Sequence, residues 1–97
     1  MGESKEGVGL GVTVYSVRIE PDALKYLKKL NSSDAKKIYA AIELLRINPI
    51  PPKARKLTNR EGYRIRLGNL RIIYSFKSKA LIIRVIKIGQ RQNIYKK

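Results

Sequence analysis

Apolar and basic side chains alternate strictly in a short segment past the middle of the chain. Tyr63, Ile65 and Leu67 fall at one set of alternating positions, and Arg64 and Arg66 occupy the positions between them. A two-residue period is that of a β-strand with one buried face. The pattern therefore predicts a strand whose apolar side chains face the core and whose arginines face away from it.

A turn signal follows this predicted strand. Gly68-Asn69 separates it from a second apolar-rich run, Leu70 to Lys77, and such a two-residue loop typically joins the strands of a hairpin. In that register Arg66 lies opposite Arg71, on the face that also carries Arg64. Because like charges opposite one another destabilise a sheet, we expect this arginine face to hold an anionic ligand. The alternative is a solvated face whose arginines only keep the protein soluble.

The remaining pattern predicts two helices and two further strands. The expected elements are a strand over Val12 to Ile19, helices over Pro21 to Leu30 and from Asn31-Ser32-Ser33 to about Ile47, and strands over Gly62 to Leu67, Leu70 to Lys77 and Ala80 to Ile88, the last two linked by Ser78-Lys79. Gly89 is expected to break the last strand. Strands gathered after helices predict an α+β fold of two layers, in which an antiparallel β-sheet packs on an antiparallel helical hairpin in the order β-α-α-β-β-β.

The net charge of the chain predicts the class of its binding partner. The 97 residues suffice for one domain, which we place at 12–97 after a glycine-rich leader at 1–11. Lys and Arg number 22 against 7 Asp and Glu, a net charge of +15. Such a surplus predicts a polyanionic partner, and nucleic acid is the first candidate. A membrane surface is not expected, because the basic residues are not collected on one amphipathic helix.

The residue types that the chain lacks exclude several kinds of catalytic and metal-binding chemistry. The chain has no Cys and no His, so disulfides, thiolate chemistry, the usual general base at neutral pH and the commonest metal ligand are all excluded. No phosphate loop, nucleophile elbow or zinc-ligand spacing occurs. We therefore expect no cofactor and no metal. Since neither a signal pattern nor a long apolar run is found, a cytoplasmic protein is the default expectation.

The order of elements and three of its segments resemble the RelE/ParE toxin superfamily of toxin–antitoxin systems. The resemblance covers about Val14 to Tyr95. The segment from Tyr63 to Tyr74 looks like the core hairpin of that superfamily, Ile19 to Leu30 looks like its first helix, and Val85 to Tyr95 looks like its last strand and active-site tail. The resemblance implies a RelE-like, microbial-RNase-like fold and an acidic cognate antitoxin that forms a hetero-oligomer with this chain.

In the RelE branch, the toxin enters the ribosomal A site and cuts the bound messenger RNA through attack of the RNA 2′-hydroxyl. The resemblance implies five catalytic residues at the matching positions of this chain, namely Arg64, Arg66, Arg71, Arg91 and Tyr95. It also implies a basic loop that contacts messenger or ribosomal RNA, formed by Lys53, Arg55 and Lys56 after three prolines between residues 49 and 52. The tail of this chain is two residues shorter than the family pattern before Tyr95.

Arginine suits this chemistry as a clamp. Cleavage by an internal 2′-hydroxyl passes through a transition state with extra negative charge, which fixed guanidinium groups stabilise without changing protonation. Because Arg is a poor general base, Arg64 and Arg66 are interpreted as phosphate clamps, and the group that removes the 2′-hydroxyl proton stays open. Two alternatives remain: a ParE-like toxin that inhibits DNA gyrase and generally lacks the terminal Arg and Tyr pair, and a non-enzymatic basic RNA-binding module.

Overall fold

The computed structural model describes residues 14–90 of the 97-residue chain. Two helices and five strands follow one another, numbered here in chain order: β1 (Ser16–Ile19), α1 (Pro21–Lys29), α2 (Ser32–Ile47), β2 (Arg55–Lys56), β3 (Tyr63–Leu67), β4 (Leu70–Lys77) and β5 (Ile82–Gln90). The predicted α+β class is confirmed. Leu27 of α1 and Ile38 and Leu45 of α2 share one core with sheet residues such as Ile72 and Ile83.

All five strands belong to one sheet, in the order β1-β5-β4-β3-β2. β1 runs parallel to β5, whereas the other three neighbouring pairs are antiparallel. The predicted all-antiparallel sheet is therefore wrong at this edge, and the sheet is mixed. The apolar pattern of a strand indicates which of its faces is buried, but it does not indicate which strand lies beside it or in which direction that strand runs. The parallel pairing of β1 with β5 therefore could not be predicted from the β1 segment.

The helix boundaries follow the local chemistry. Pro21 takes the first position of α1, where its missing N–H costs nothing. The Asn31 side chain caps α2 by accepting a hydrogen bond of 2.8 Å from the backbone N–H of Asp34. Ile38 and Leu45 form part of the buried stripe of α2 and are fully enclosed. Helix α2 ends at Ile47, as predicted.

Several strand ends differ from the prediction. β1 begins at Ser16, so Val14 and Tyr15 precede it. Gly89 does not end β5, because Arg71 and Leu70 of β4 still pair with Gly89 and Gln90. The link between β4 and β5 is four residues long, not two, and its last residue, Leu81, has a φ of 56° in the left-handed region. The carbonyl of Leu81 accepts a hydrogen bond of 2.8 Å from the N–H of Ser16, which connects this turn to the start of β1.

The proline-rich segment is partly a strand. The resemblance predicts a basic loop here, and within it Arg55–Lys56 forms a short edge strand paired with Arg64 and Tyr63 of β3. A turn precedes this strand, closed by a hydrogen bond of 2.9 Å from the N–H of Ala54 to the carbonyl of Pro51. The segment is therefore attached to the sheet edge at a defined register.

Candidate nucleic-acid interface

One face of the sheet collects basic residues from all five strands. Partner residues on neighbouring strands point to the same face, and successive residues in a strand alternate between faces. The strand register therefore gathers eight basic residues on the face opposite the helices, which we call the cationic face: Arg18, Arg55, Arg64, Arg66, Arg71, Lys77, Arg84 and Lys87. The predicted pairing of Arg66 with Arg71 is confirmed.

A cleft at one end of the cationic face is lined by four basic side chains. Lys53, Arg55, Arg64 and Arg66 surround a volume of about 390 Å³. The short strand β2 brings Arg55 beside Arg64, and the turn before it brings Lys53 to the rim. The guanidinium of Arg55 donates hydrogen bonds to the carbonyls of Pro52 and Ala54, which hold it close to the loop backbone. Such a concentration of positive charge favours a phosphate group over any neutral ligand.

Tyr74 anchors the loop that forms one wall of this cleft. Its ring is fully buried in the core and stacks against Tyr63 at a centroid distance of 5.9 Å. Its hydroxyl donates a hydrogen bond of 2.6 Å to the carbonyl of Pro49. Burial, and to a lesser extent the neighbouring Tyr63, raises the pKa of Tyr74 far above its ordinary value, so the hydroxyl keeps its proton and remains a donor. Tyr74 therefore belongs to the core, and the half-buried Tyr63 packs against it.

Arg71 is buried, contrary to the expectation of an exposed strand arginine. Only 1% of its surface is accessible. It lies on β4, the middle strand of the sheet, between Arg66 of β3 and Gly89 of β5. A buried guanidinium is costly unless its surroundings compensate the charge, so Arg71 is part of the fold as well as part of the cationic face. Arg64 is half-buried, whereas Arg66 is exposed.

The predicted site residues are therefore only partly brought together. Arg64, Arg66, Lys53 and Arg55 line one cleft, but Lys56 alternates to the opposite side of β2, where it pairs with Tyr63. Arg91 and Tyr95 lie outside the described residues. The last described residue, Gln90, pairs with Leu70 beside the β3–β4 turn.

Three residues of the cationic face are not predicted as functional from the sequence. They are Arg18, Lys77 and Lys87, although each directly follows an apolar residue in its strand. Because Arg84 stands in the middle of an apolar run, the sequence predicts either an ion pair with Glu43 or Glu61 or a place on the arginine face. In the structure Arg84 lies on that face, and its partner is Glu20, at 3.1 Å between Nε and Oε2. Glu43 pairs with Arg46 at 2.9 Å.

The described residues limit the chemistry that this face can perform. Between residues 14 and 90, no group of three or more His, Cys, Asp or Glu side chains is placed to hold a metal ion. No helix in that range is long and apolar enough to cross a membrane. The cationic face can bind phosphates and stabilise negative charge through guanidinium groups that are always protonated.

A small α+β domain with this cationic sheet face matches a known class of toxins. The family model of the ParE toxin of type II toxin–antitoxin systems, parDE, matches residues 17–95. The match covers most of the chain, and the chain therefore belongs to this family of toxins, within the RelE/ParE superfamily.

Its relatives include proteins named RelE. The chain is 36% identical over 86 residues to a candidate toxin named RelE1 from Methanocaldococcus jannaschii, covering 84% of this chain and 96% of that protein. The fold matches the archaeal RelE–RelB complex from Pyrococcus horikoshii with a TM-score of 0.70 and 27% identity, covering 81% of this chain and 97% of that one. The RelBE2 toxin–antitoxin complex of Mycobacterium tuberculosis, at 21% identity, shows the same fold with a TM-score of 0.71, covering 81% of this chain and 100% of that one.

Proposed function

We propose that this toxin is a ribosome-dependent messenger RNA interferase, an endoribonuclease that inhibits translation by cutting messenger RNA in the ribosomal A site. The observation that carries the proposal is the cleft of Lys53, Arg55, Arg64 and Arg66 on the open face of the sheet. A cleft lined by four cations suits the doubly charged transition state of phosphodiester cleavage. The similarity to RelE1 and to the RelE of the Pyrococcus horikoshii complex supports the RelE-like choice.

The proposed reaction uses the RNA as its own nucleophile. The 2′-hydroxyl loses its proton as its oxygen forms a bond to the adjacent phosphorus. The bond from phosphorus to the 5′-oxygen of the next nucleotide breaks, and that oxygen takes up a proton, which leaves a 2′,3′-cyclic phosphate and a 5′-hydroxyl. Arg64 and Arg66 hold the phosphate oxygens as charge accumulates, and Arg71 fixes the floor of the cationic face between them and β5. Arg91 and Tyr95 complete the proposed set from the tail, Arg91 as a further clamp and Tyr95 by stacking on a base or moving a proton.

We propose that the orientation of the reacting RNA groups supplies the remainder of the rate enhancement. None of the proposed clamps is a good base, so the protein contributes charge stabilisation and orientation. Effective orientation of two reacting groups can supply roughly 7–11 kcal/mol. In the proposed reaction, a ribosome that holds the messenger RNA in its A site provides this orientation, which reduces the contribution required from a protein with no His.

The proposed partners follow from charge and from the relatives. The solved complexes of Pyrococcus horikoshii and Mycobacterium tuberculosis pair a toxin with an antitoxin. We propose that this chain is bound by an acidic cognate antitoxin that covers or distorts the cationic face, because a net charge of +15 favours an acidic partner. Messenger RNA and ribosomes are the proposed targets, and the cytoplasm is the proposed compartment.

A second candidate is a ParE-like toxin that inhibits DNA gyrase without cutting RNA. The matching family model favours it, since that model describes ParE toxins. The two candidates make different demands on the cleft: a nuclease needs Arg64 and Arg66 at the reacting phosphate, whereas an inhibitor of gyrase needs no cleavage chemistry. A basic module that binds RNA without cutting it is a third possibility that the same assay separates.

The decisive experiment is single-turnover cleavage of messenger RNA on ribosomes with a filled P site and an empty A site. Wild type is expected to cut, and Arg64→Ala with Arg66→Ala is expected to lower the rate by about 10²-fold or more, the scale of losing one charge-stabilising donor. The matched control is Lys25→Ala with Lys36→Ala, which removes the same charge from exposed positions on the helical layer. Inhibition of gyrase supercoiling by a wild type that leaves messenger RNA intact would instead establish the ParE-like function.

A further inference from the structure

A second group of basic residues lies at the other side of the cationic face, away from the cleft. Arg18 of β1 pairs in register with Arg84 of β5, and Arg84 pairs with Ser75 of β4. Lys77 lies two residues beyond Ser75 on the same face. A shallow pocket of about 180 Å³ is lined by these four side chains together with Phe76 and Ile82. We call Arg18, Lys77 and Arg84 the distal cluster.

The charge of the distal cluster is not balanced within the described part of the chain. Glu20 is the carboxylate that meets it, through the 3.1 Å ion pair with Arg84. The side chains of Arg18 and Lys77 are exposed and make no hydrogen bond or ion pair with another residue between 14 and 90. Glu61 also lines a neighbouring pocket of about 350 Å³ with Lys77 and Arg84. Three cations therefore face two carboxylates, and the cluster keeps a net positive charge. Because like charges placed opposite on adjacent strands destabilise a sheet, the register of Arg18 against Arg84 works against folding.

The distal cluster lies at a distance that suits the same nucleic acid as the cleft. Arg64 on β3 pairs with Ile73, whereas Arg84 on β5 pairs with Ser75, two residues further along β4. With strands about 4.8 Å apart and a rise of about 3.4 Å per residue, Arg84 is roughly 12 Å from Arg64. Both groups point out of the same face of the sheet. An extended nucleic-acid strand that places one phosphate in the cleft can therefore place a nearby phosphate at the distal cluster without bending around the domain.

We propose that Arg18, Lys77 and Arg84 form a second phosphate-binding site, which contacts the RNA backbone beside the cleavage point and contributes affinity without reading sequence. This inference rests on the proposed function. Its contacts would be electrostatic and independent of base identity, because exposed Lys and Arg side chains bind phosphates mainly through charge. The phosphates could belong to the messenger RNA or to ribosomal RNA, and the two sources are distinguished below.

The first test measures binding alone, so that it does not depend on cleavage. Arg18→Gln, Lys77→Gln and Arg84→Gln are combined, and binding to a fluorescent single-stranded RNA is titrated at several salt concentrations. Loss of three phosphate contacts should weaken binding roughly 10-fold at moderate salt and should reduce the slope of log affinity against log salt by about 2. The matched control combines Lys25→Gln, Lys29→Gln and Lys36→Gln, which removes equal charge from exposed positions of the two helices.

A second variant is expected to raise the affinity for RNA and not to lower it. Glu20→Gln removes the carboxylate beside Arg84, and Glu20 makes no side-chain hydrogen bond to the start of α1. If the distal cluster binds phosphate, Glu20→Gln should strengthen RNA binding severalfold. If the Arg84–Glu20 pair only stabilises the fold, Glu20→Gln should lower the melting temperature and leave RNA binding no stronger. That second result would overturn the inference, as would equal weakening of RNA binding by the distal and helical triple variants.

Cleavage on programmed ribosomes then identifies the source of the phosphates. The distal triple variant should raise the ribosome concentration needed for half-maximal rate about 10-fold. A defect that occurs only with messenger RNA extending beyond the A site assigns the phosphates to messenger RNA, whereas an equal defect with a message truncated there assigns them to ribosomal RNA. A wild type that does not cleave would refute the proposed function and leave the binding test intact. If the distal triple variant loses binding to an acidic antitoxin while its RNA binding equals that of the helical triple variant, this inference is overturned and the proposed function is unaffected.

Discussion

At the scale of single residues, the unexpected finding is the burial of Arg71. It stands on the middle strand and is 1% accessible, so truncation would leave a void where the long side chain was. We expect Arg71→Ala to lower the free energy of unfolding by about 2–5 kcal/mol, the scale of truncating a large buried side chain. The measurement is urea denaturation followed by circular dichroism. The exposed Arg66→Ala is the matched control and should change stability by less than about 0.5 kcal/mol.

Activity assays on Arg71 variants depend on that result. A variant that fails to fold loses activity for a structural reason, so Arg71→Lys is the more informative change. It keeps the charge but loses the planar fork of the guanidinium. A stable Arg71→Lys protein with much reduced cleavage would assign Arg71 to charge stabilisation in the reaction. An Arg71→Ala protein as stable as wild type would contradict the role in the fold that is described here.

Tyr74 connects the core to the cleft through one hydrogen bond. Removing the hydroxyl in Tyr74→Phe leaves the carbonyl of Pro49 without its donor, and we expect a loss of about 1 kcal/mol of stability. Because Pro49 begins the loop that carries Lys53 and Arg55, RNA affinity should fall as well. Thermal melting and RNA titration measure the two effects. The matched control is Tyr39→Phe, at an exposed hydroxyl on α2, which should change neither.

The same tyrosine gives a pH dependence with a defined sign. The folded-state pKa of Tyr74 is raised, so the fold favours the protonated hydroxyl. Its contribution to stability is therefore complete below the ordinary tyrosine pKa of about 10 and is lost as the pH rises above that value. The stability difference between wild type and Tyr74→Phe should shrink above pH ~10. A difference that stays constant up to strongly alkaline pH would contradict the assignment.

At the scale of the elements, the glycines at the two ends of β3 meet different structural requirements. Gly62 has a φ of +122°, and a Cβ at this position would lie 2.9 Å from the carbonyl oxygen of Tyr74. Gly68, in the turn, has a φ of +63° with open space around it. The hydrogen bond from the N–H of Leu57 to the carbonyl of Gly62, at 3.0 Å, joins this point to the segment after β2.

These geometries predict unequal costs. Gly68→Ala should lose about 1 kcal/mol, the cost of a left-handed conformation for a residue with a Cβ. Gly62→Ala should lose clearly more, because the backbone of β4 must also move away. It should also disturb the cleft, since β2 follows β3 in the sheet. Denaturation of the two variants in parallel measures the difference, and equal losses would show that the close approach to Tyr74 relaxes at no cost.

At the scale of the whole molecule, charge dominates the expected behaviour. A net charge of +15 on 97 residues implies that RNA binding is driven largely by release of counterions from phosphates. We expect log affinity for single-stranded RNA to fall linearly with log salt, with a slope of about −0.7 for each phosphate contacted. Titration between about 50 and 200 mM salt measures the slope. An affinity that does not change over this range would reject a polyanionic partner for the cationic face.

The local patterns were sufficient for most of the fold. Pro21 and the Asn31 cap placed the helix starts, and the alternation around Arg64 and Arg66 with the Gly68-Asn69 turn predicted the hairpin register correctly. These features are determined by neighbours within a few residues of one another, so they are visible in the sequence. The proposed roles of Arg64 and Arg66 began from that register and from the family resemblance.

The tertiary structure decided what depends on distant partners. The sequence determined that Arg71 faces Arg66, but the burial of Arg71, of whose surface 1% is accessible, is a property of the folded chain that strand alternation does not encode. The sequence marked Arg84 as a basic residue in an apolar strand, and only the parallel pairing of β1 with β5 brought Arg18 beside it. Strand alternation encodes which face a side chain occupies, whereas burial and lateral neighbours depend on which strands are adjacent, and that choice belongs to the whole chain.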